Sequence, residues 1–168
     1  MHWRNSRGTL PRPHSLGRGL VHRDLKPANL LLSGAGRDCV VKVGDYGLAK
    51  AFDDAGLGGL TRTGEAAGTP RFMARQQVID FKRATPEVDV WAMAASLYYM
   101  LTGAPPRYFP SGRDPWSIVL ESKAVPIRQR KPWLPKDLAA IIDLALVEEP
   151  EIPFKTAAAF KKALEGML

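Results

Sequence analysis

Four polar residues that flank a short apolar segment have the side-chain types needed for metal-assisted phosphate chemistry. Asp24, Lys26 and Asn29 precede the segment, and Asp45 follows it. An amide oxygen and a carboxylate are hard ligands that suit Mg²⁺. A second carboxylate can act as a base, and a lysine can neutralise phosphate charge. These residue types indicate phosphoryl transfer, provided that the fold brings them together.

The segment between these residues has the pattern of a β-hairpin. An apolar run at 30–33 and a β-branched run at 39–43 flank a turn-forming cluster at 34–38. Because a hairpin folds about its midpoint, Asn29 and Asp45 should lie side by side at its open end. A lone Asp-x-Gly, as at 45–47, would usually be an ordinary turn, and a lone His-Arg-Asp, as at 22–24, occurs by chance. Their order, their spacing and the hairpin between them favour a site for a divalent ion.

The rest of the chain is predominantly helical by its apolar periodicity. Thr85-Pro86-Glu87 is typical of a helix start, and that helix should run to Leu101 and stop near Gly103. It is apolar nearly all round, which is typical of a central buried helix. Further helices should begin at Asp114-Pro115, at Leu134-Pro135 and at Thr156, the last with Ala159, Phe160 and Leu164 facing inward. The predicted fold class is therefore α+β, predominantly helical, with one short hairpin.

Composition excludes several classes of protein. Hydrophobic residues make up 45% and charged residues 24% of the 168 residues, which is typical of one globular domain and not of collagen, a coiled coil or a disordered tail. The single cysteine, Cys39, excludes a disulfide framework and a cysteine-based zinc site, and its place in a strand predicts a buried side chain. The longest apolar run, 90–101, is shorter than the roughly twenty residues of a membrane span, so no transmembrane helix is predicted. The expected location is cytoplasmic.

Residues 1–19 have the composition of a basic arm. Five arginines and no acid lie within residues 1–23, so this stretch carries +5 of the net charge of +7. Such an arm could attract phosphates or acidic lipid, or serve as a transit peptide. Its Gly, Pro and Arg content favours the plainer interpretation of a disordered, solvated arm that precedes a folded domain at 20–168.

Four strings in this order resemble the signature motifs of protein kinases. Val21–Leu31 resembles the catalytic loop of eukaryotic-like (Hanks-type) serine/threonine kinases, and Gly44–Lys50 resembles their magnesium-binding motif. Gly68–Ala74 is similar to the substrate-facing end of the activation segment, and Asp89–Trp91 to the start of the central helix of the large lobe. Lys26-Pro27 resembles the serine/threonine branch, and the overall texture looks bacterial.

The resemblance implies a role for each candidate site residue. Asp24 would orient and deprotonate the substrate hydroxyl, and Lys26 would neutralise the γ-phosphate of ATP. Asn29 and Asp45 would hold Mg²⁺. Thr69 would bond to Asp24 and Lys26 and help to admit the Ser or Thr side chain of a protein substrate.

The same resemblance implies supporting roles for neighbouring residues. Asp89 would accept backbone N–H groups of the catalytic loop, and His22 would pack beneath that loop. Arg23 suggests control by a phosphorylated activation loop, for which Thr61 and Thr63 are the first acceptors to test. Ordinary loop hydroxyls remain the alternative interpretation of these two threonines.

The chain departs from the family pattern in the part that should bind ATP. Such kinases need a small lobe with a Gly-rich loop, a strand lysine and a helix glutamate, and none of these is found. The chain therefore resembles a C-terminal lobe without its small lobe. We expect little phosphotransfer by the isolated chain, and an apolar upper face that a partner chain could cover.

A second departure concerns a buried ion pair of the family. Ala74-Arg75-Gln76 stands where Ala-Pro-Glu is usual, and Pro153 stands where the partner arginine is usual. Because removing one member of a buried pair is costly whereas replacing both can be neutral, the joint loss indicates a coherent substitution. It predicts that Gln76→Glu alone destabilises the domain.

Two other functions compete with an active kinase. The missing ATP-binding lobe favours a catalytically silent, kinase-like module that binds a partner or peptide. The sequence pI of about 9.8 suggests a nucleic-acid binder. Outside the arm, however, only the tract 128–131 is strongly basic, and such a tract is usually a solvated edge, so no nucleic-acid partner is predicted.

Overall fold

A computed structural model describes residues 21–45 and 69–167 of the chain. The predictions for the arm at 1–19, for motif residues 46–50, and for Thr61 and Thr63 lie outside the described residues. The described strands are β1 (Leu30–Ser33) and β2 (Val40–Val43), and the described helices are α1 (Arg75–Ile79), α2 (Glu87–Thr102), α3 (Pro115–Glu121), α4 (Ile127–Arg130), α5 (Lys136–Ala145) and α6 (Ala157–Glu165). This arrangement is α+β and predominantly helical, as the sequence predicts.

The central helix α2 forms the middle of the hydrophobic core. Val88, Trp91 and Tyr98 on this helix are fully buried. The Trp91 indole Nε1 donates to the carbonyl oxygen of Leu146 at 3.2 Å, which ties α2 to the end of α5. Helices α5 and α6 both pack against α2 within this core. An all-round apolar helix therefore lies where its sequence pattern predicts.

The ends of α2 follow local chemistry. The helix stops at Gly103, whose φ of 75° lies in the left-handed region that glycine adopts without steric cost. Its start differs by one residue from the prediction, because Pro86 and not Thr85 occupies the N-cap position. Pro86 already has helical backbone angles, with φ fixed near −55° by its ring.

Side-chain caps begin two of the later helices as predicted. The Asp114 side chain accepts from Ser117 N at 2.8 Å, and Thr156 Oγ1 accepts from Ala159 N at 3.1 Å. Phe160 is buried in the core, whereas Ala159, which was predicted to face inward, is exposed. The neighbouring position on a helix is rotated by about 100°, so Phe160 turns Ala159 outward. The sequence did not predict α1 and α4, because each spans little more than one turn.

The hairpin pairs in the expected register but is poorly covered. Leu30 lies opposite Val43, and Ser33 lies opposite Val40, in an antiparallel two-stranded sheet. Leu32 is 72% exposed, and Cys39 is also exposed, so the prediction of a buried Cys39 was wrong. Cys39 precedes β2, and the described part of the chain adds no third strand to the sheet, so little packs over this position.

Among the described residues, none of the helices combines the length and the hydropathy that a bilayer crossing requires.

Candidate active site

The open end of the hairpin brings Asn29 beside the residues that follow β2. Pairing continues past Leu30 and Val43 through a bond from Gly44 N to the carbonyl oxygen of Asn29, at 2.8 Å. Asp45 is the next residue, is exposed, and has a φ of 55°, which is uncommon for a residue with a side chain. The predicted backbone pairing at the open end of the hairpin is confirmed for Asn29 and Gly44, the residue before Asp45.

Four candidate site residues share one hydrogen-bonded cluster. Lys26 Nζ donates to Asp24 Oδ2 at 2.7 Å and to Thr69 Oγ1 at 3.2 Å. Asn29 Nδ2 donates to the Asp24 carbonyl oxygen at 2.8 Å and to Asp24 Oδ2 at 3.3 Å. The expected bond between Thr69 and Lys26 is present, whereas Thr69 reaches Asp24 through Lys26 and not by a direct bond. The Asp24 side chain is only 9% exposed, so the adjacent ammonium and amide compensate a carboxylate that is largely removed from water.

The loop Val21–Lys26, which carries Asp24, is held by an acid on the central helix. Asp89 Oδ2 accepts from His22 N at 2.7 Å, and Asp89 Oδ1 accepts from Arg23 N at 2.9 Å. Burial raises the pKa of Asp89, and the two N–H donors oppose that shift. Asp89 lies in the first turn of α2, where the helix dipole favours negative charge. The bonds to backbone N–H groups are those that the sequence predicts.

Arg23 holds a strained backbone conformation next to Asp24. Its φ is 67°, and such a conformation costs about 1–3 kcal/mol in a non-glycine residue. The surroundings hold it at both ends, because Arg23 N is bound by Asp89 and the Arg23 carbonyl oxygen accepts from Gln77 Nε2. Gln77 is 1% exposed and belongs to α1. The sequence analysis missed Gln77, because only folding brings α1 to the loop.

His22 is a packed structural residue, as expected. It is 5% exposed, and its Nε2 lies 3.0 Å from the carbonyl oxygen of Gly44. Its Nδ1 accepts from Asp24 N at 3.3 Å, which assigns the ring proton to Nε2. His22 therefore connects the loop that carries Asp24 to the hairpin end that leads to Asp45.

The donor set at the hairpin end fits Mg²⁺ chemically. The amide nitrogen of Asn29 is used in bonds to Asp24, which leaves the amide oxygen as its possible metal ligand. Asp45 follows the residue that pairs with Asn29 and contributes a carboxylate. Mg²⁺ typically takes one or two protein ligands and completes its shell with water and substrate phosphates. Within residues 21–45 and 69–167 no group of three His, Cys, Asp or Glu side chains could hold a metal ion by itself.

A fully buried arginine that the sequence analysis did not single out lies behind the segment that carries Thr69. Arg107 is 0% exposed and forms an ion pair with Glu148. Burial lowers the pKa of Arg107, and the Glu148 carboxylate opposes that shift. Its guanidinium carbon lies 4.5 Å from the centre of the Trp91 ring. The sequence offered no signal for this residue, because a single arginine after Pro105-Pro106 has no periodicity or motif.

The basic tract at 128–131 contacts neighbouring residues. Arg128 donates to the carbonyl oxygen of Pro132 at 2.8 Å, and the Arg130 guanidinium carbon lies 5.5 Å from the centre of the Tyr98 ring. Lys131 lies over Trp133. The tract is thus engaged in local packing, in line with its interpretation as an edge of the fold.

Comparison with known proteins assigns the family. A family model described as the protein kinase domain matches residues 13–150. The chain belongs to this family. The kinase domain is similar to the serine/threonine-protein kinase PknB of Mycobacterium tuberculosis, with 33% identity over 87% of this chain and 22% of PknB. It is also similar to the serine/threonine-protein kinase PknA of the same organism, with 31% identity over 89% of this chain and 32% of PknA.

A third relative has a different printed specificity. The tyrosine-protein kinase MasK of Myxococcus xanthus is 37% identical over 89% of this chain and 22% of MasK. The kinase domain described here thus spans about a fifth to a third of the length of the curated relatives it matches. Its bacterial, Hanks-type character is confirmed by PknB and PknA.

Proposed function

We propose that this chain is the catalytic part of a serine/threonine protein kinase that transfers the γ-phosphoryl group of ATP to protein hydroxyls. The observation that carries the proposal is the cluster of Asp24, Lys26 and Thr69, linked by contacts of 2.7 and 3.2 Å. Asn29 and the hairpin end adjoin the same acid. Because phosphoryl transfer depends mainly on positioning and charge neutralisation, this arrangement is suited to it.

Each residue has one task in the proposed reaction. A substrate hydroxyl near Asp24 would donate a hydrogen bond to its carboxylate, which orients the oxygen and accepts its proton. Lys26 would place its ammonium against the transferred phosphoryl group while keeping Asp24 in position. Asn29 and Asp45 would hold Mg²⁺, which neutralises phosphate charge when it is bound. Asp89 keeps the whole loop fixed, so that little reorganisation is needed during transfer.

Serine/threonine specificity is supported by two features of the chain. Thr69 Oγ1 accepts from Lys26 Nζ, which also binds Asp24, so Thr69 lies next to the proposed base. PknB and PknA carry serine/threonine specificity in their names, whereas MasK is named a tyrosine kinase. We also propose that the chain forms the large lobe of the family fold. Its proposed location is the cytoplasm, where ATP is available.

The proposed metal and nucleotide site can be tested by adding Mn²⁺–ATP. Binding is detected as paramagnetic broadening of NMR signals. We expect weak binding that broadens the signals of Asn29 and Gly44. Asn29→Leu and Asp45→Asn should abolish it, whereas Asp38→Asn, an exposed acid elsewhere on the hairpin, should not. Broadening that is unchanged in the first two variants would contradict the site.

Catalysis itself can be tested by transfer of labelled γ-phosphate to a generic basic protein. We expect little transfer by this chain alone, because its sequence contains no counterpart of the Gly-rich loop, strand lysine and helix glutamate that bind ATP in the family. Whatever transfer occurs should disappear in Asp24→Ala and persist in Asp38→Ala. Transfer that survives Asp24→Ala would exclude Asp24 as the base.

A catalytically silent interaction module is the second candidate, and one observation favours it. Leu31, Leu32, Val40 and Val41 are 54–72% exposed, so the hairpin presents apolar side chains on both of its faces. Exposed apolar surface of this kind is typical of a site that another polypeptide covers. Absence of Mn²⁺–ATP binding together with a stable complex on the hairpin would favour this alternative over the kinase.

A further inference from the structure

The guanidinium of Arg107 joins three separate segments of the chain. Arg107 Nη1 donates to the carbonyl oxygen of Met73 at 2.9 Å, and Arg107 Nε donates to the carbonyl oxygen of Ser122 at 3.0 Å. Arg107 Nη2 donates to Glu148 Oε2. A planar guanidinium presents donors in several fixed directions, which a lysine ammonium cannot reproduce while it stays stacked on an aromatic ring such as Trp91.

Glu148 binds the same segment of backbone two residues further along the chain. Its Oε1 accepts from Arg75 N, two residues after the carbonyl that Arg107 holds. The Glu148 side chain is only 8% exposed, and that of Arg107 is fully buried. The backbone from Met73 to Arg75 is therefore bound by both members of one buried ion pair, which removes its freedom to shift.

A short series of backbone bonds connects this fixed point to Thr69. The turn Pro70–Phe72 is a 3-10 helix in which Met73 N donates to the Pro70 carbonyl at 3.2 Å. Phe72 N donates to the Thr69 carbonyl at 2.9 Å. A single tight turn thus separates the carbonyl that Arg107 holds from the residue whose hydroxyl contacts Lys26. Displacement of Met73 would move Thr69, because two backbone hydrogen bonds span the turn and the ring of Pro70 fixes its φ angle.

We propose that Arg107 is a positioning residue that fixes Thr69 against Lys26 by clamping the Met73 carbonyl, with Glu148 as its counter-ion. The inference rests on the proposed function, in which Thr69 and Lys26 adjoin the acceptor hydroxyl. The pair does not touch substrate and acts only through the turn Pro70–Phe72. Its effect is to keep the substrate-facing segment and the loop that carries Asp24 in one fixed relation.

The test compares local order at Thr69 in Arg107→Met with a control of equal global stability. The readouts are hydrogen exchange of the Phe72 and Met73 amides and the methyl NMR signal of Thr69. We expect about tenfold faster exchange at these two amides than in the control, together with a shifted Thr69 methyl signal. The matched control is Ile142→Ala, a cavity in the core away from the turn, compared after adjustment with denaturant to equal stability.

One milder variant, with an exposed arginine as its control, covers the case in which Arg107→Met does not fold. Arg107→Lys keeps the charge toward Glu148 but not the several fixed donor directions, and we expect at least a threefold effect on the same amides. Arg113→Met removes an exposed arginine that pairs with Glu121, and we expect no change.

Equal exchange at Phe72 and Met73 in the Arg107 variants and in the Ile142→Ala control would overturn the proposal. So would an unchanged Thr69 methyl signal in Arg107→Lys. Neither readout requires nucleotide or phosphoryl transfer. A failure of the positioning role is therefore distinguishable from a failure of the kinase function.

Discussion

The partly buried Asp89 and the fully buried Arg107 hold different parts of the candidate active site, and they do so differently. Asp89 accepts from two consecutive backbone N–H groups, those of His22 and Arg23. Arg107 donates to carbonyl groups 34 and 15 residues away in the sequence and to a carboxylate 41 residues away. The acid therefore binds two neighbouring groups of a single loop, which is 66 and 67 residues away in the sequence. The arginine instead connects three separate segments.

The difference in partners implies a difference in energy. The Asp89 carboxylate lies in the first turn of α2, where the helix dipole favours its negative charge. Part of the stabilisation that Asp89 provides is therefore independent of its bonds to the loop. Arg107 lies in the core, and its loss would leave the Glu148 carboxylate largely buried without its counter-ion. We therefore expect the arginine to contribute more to the stability of the domain than the acid.

The largest expected effect is that of Arg107→Met on global stability. Because one member of a buried ion pair is removed, the free energy of unfolding should fall by about 3–5 kcal/mol. Urea unfolding monitored by tryptophan fluorescence measures this change, with Arg113→Met as the exposed control, which should cost less than about 0.5 kcal/mol. If Arg107→Met lowers the free energy of unfolding no more than its control does, the expected difference between Arg107 and Asp89 is absent.

A smaller effect is expected for Asp89→Ala. Two backbone N–H groups lose a charged acceptor, so the free energy of unfolding should fall by about 2–3 kcal/mol. The matched control is Asp137→Ala, an exposed acid in the first turn of α5, which tests the helix dipole alone at about 0.5 kcal/mol. If both alanine variants unfold at the same urea concentration, the bonds to the loop contribute nothing.

The smallest of the three effects is expected for Gln76→Glu. The substitution adds a carboxylate next to Arg75, whose backbone N–H is already bound by Glu148, while Pro153 offers no counter-charge. The melting temperature should fall, in line with a loss of about 1 kcal/mol, whereas Gln129→Glu, at an exposed position of α4, should not lower it. A neutral or raised melting temperature for Gln76→Glu would show that the original pair is not replaced coherently.

The structure also explains how the chain lacks the usual ion pair of its family. Gln76 and Pro153 stand at the positions where the resemblance implies a glutamate and an arginine. The buried pair Arg107–Glu148 binds the same end of the substrate-facing segment, at Met73 and Arg75. A different buried ion pair, at other positions in the sequence, thus binds the backbone near the place where the family's pair is expected.

Local patterns predicted much of the fold and of the site. The hairpin, the central helix and the cap of α3 by Asp114 follow from turn residues, apolar periodicity and side-chain caps, all of which act over a few positions. The proximity of Asn29 to the hairpin end follows from strand pairing. The prediction of a buried Cys39 was wrong, because burial depends on what packs over a strand and not on the strand pattern itself.

The sequence alone determined that Asp24, Lys26 and Asn29 lie next to a hairpin whose pairing brings Asn29 to Gly44, because strand register is a local property. Only the tertiary structure decided that Gln77 and Arg107 hold the neighbouring backbone. A buried polar side chain is identified by the carbonyl groups that surround it, and those groups converge from distant segments only when the core has formed.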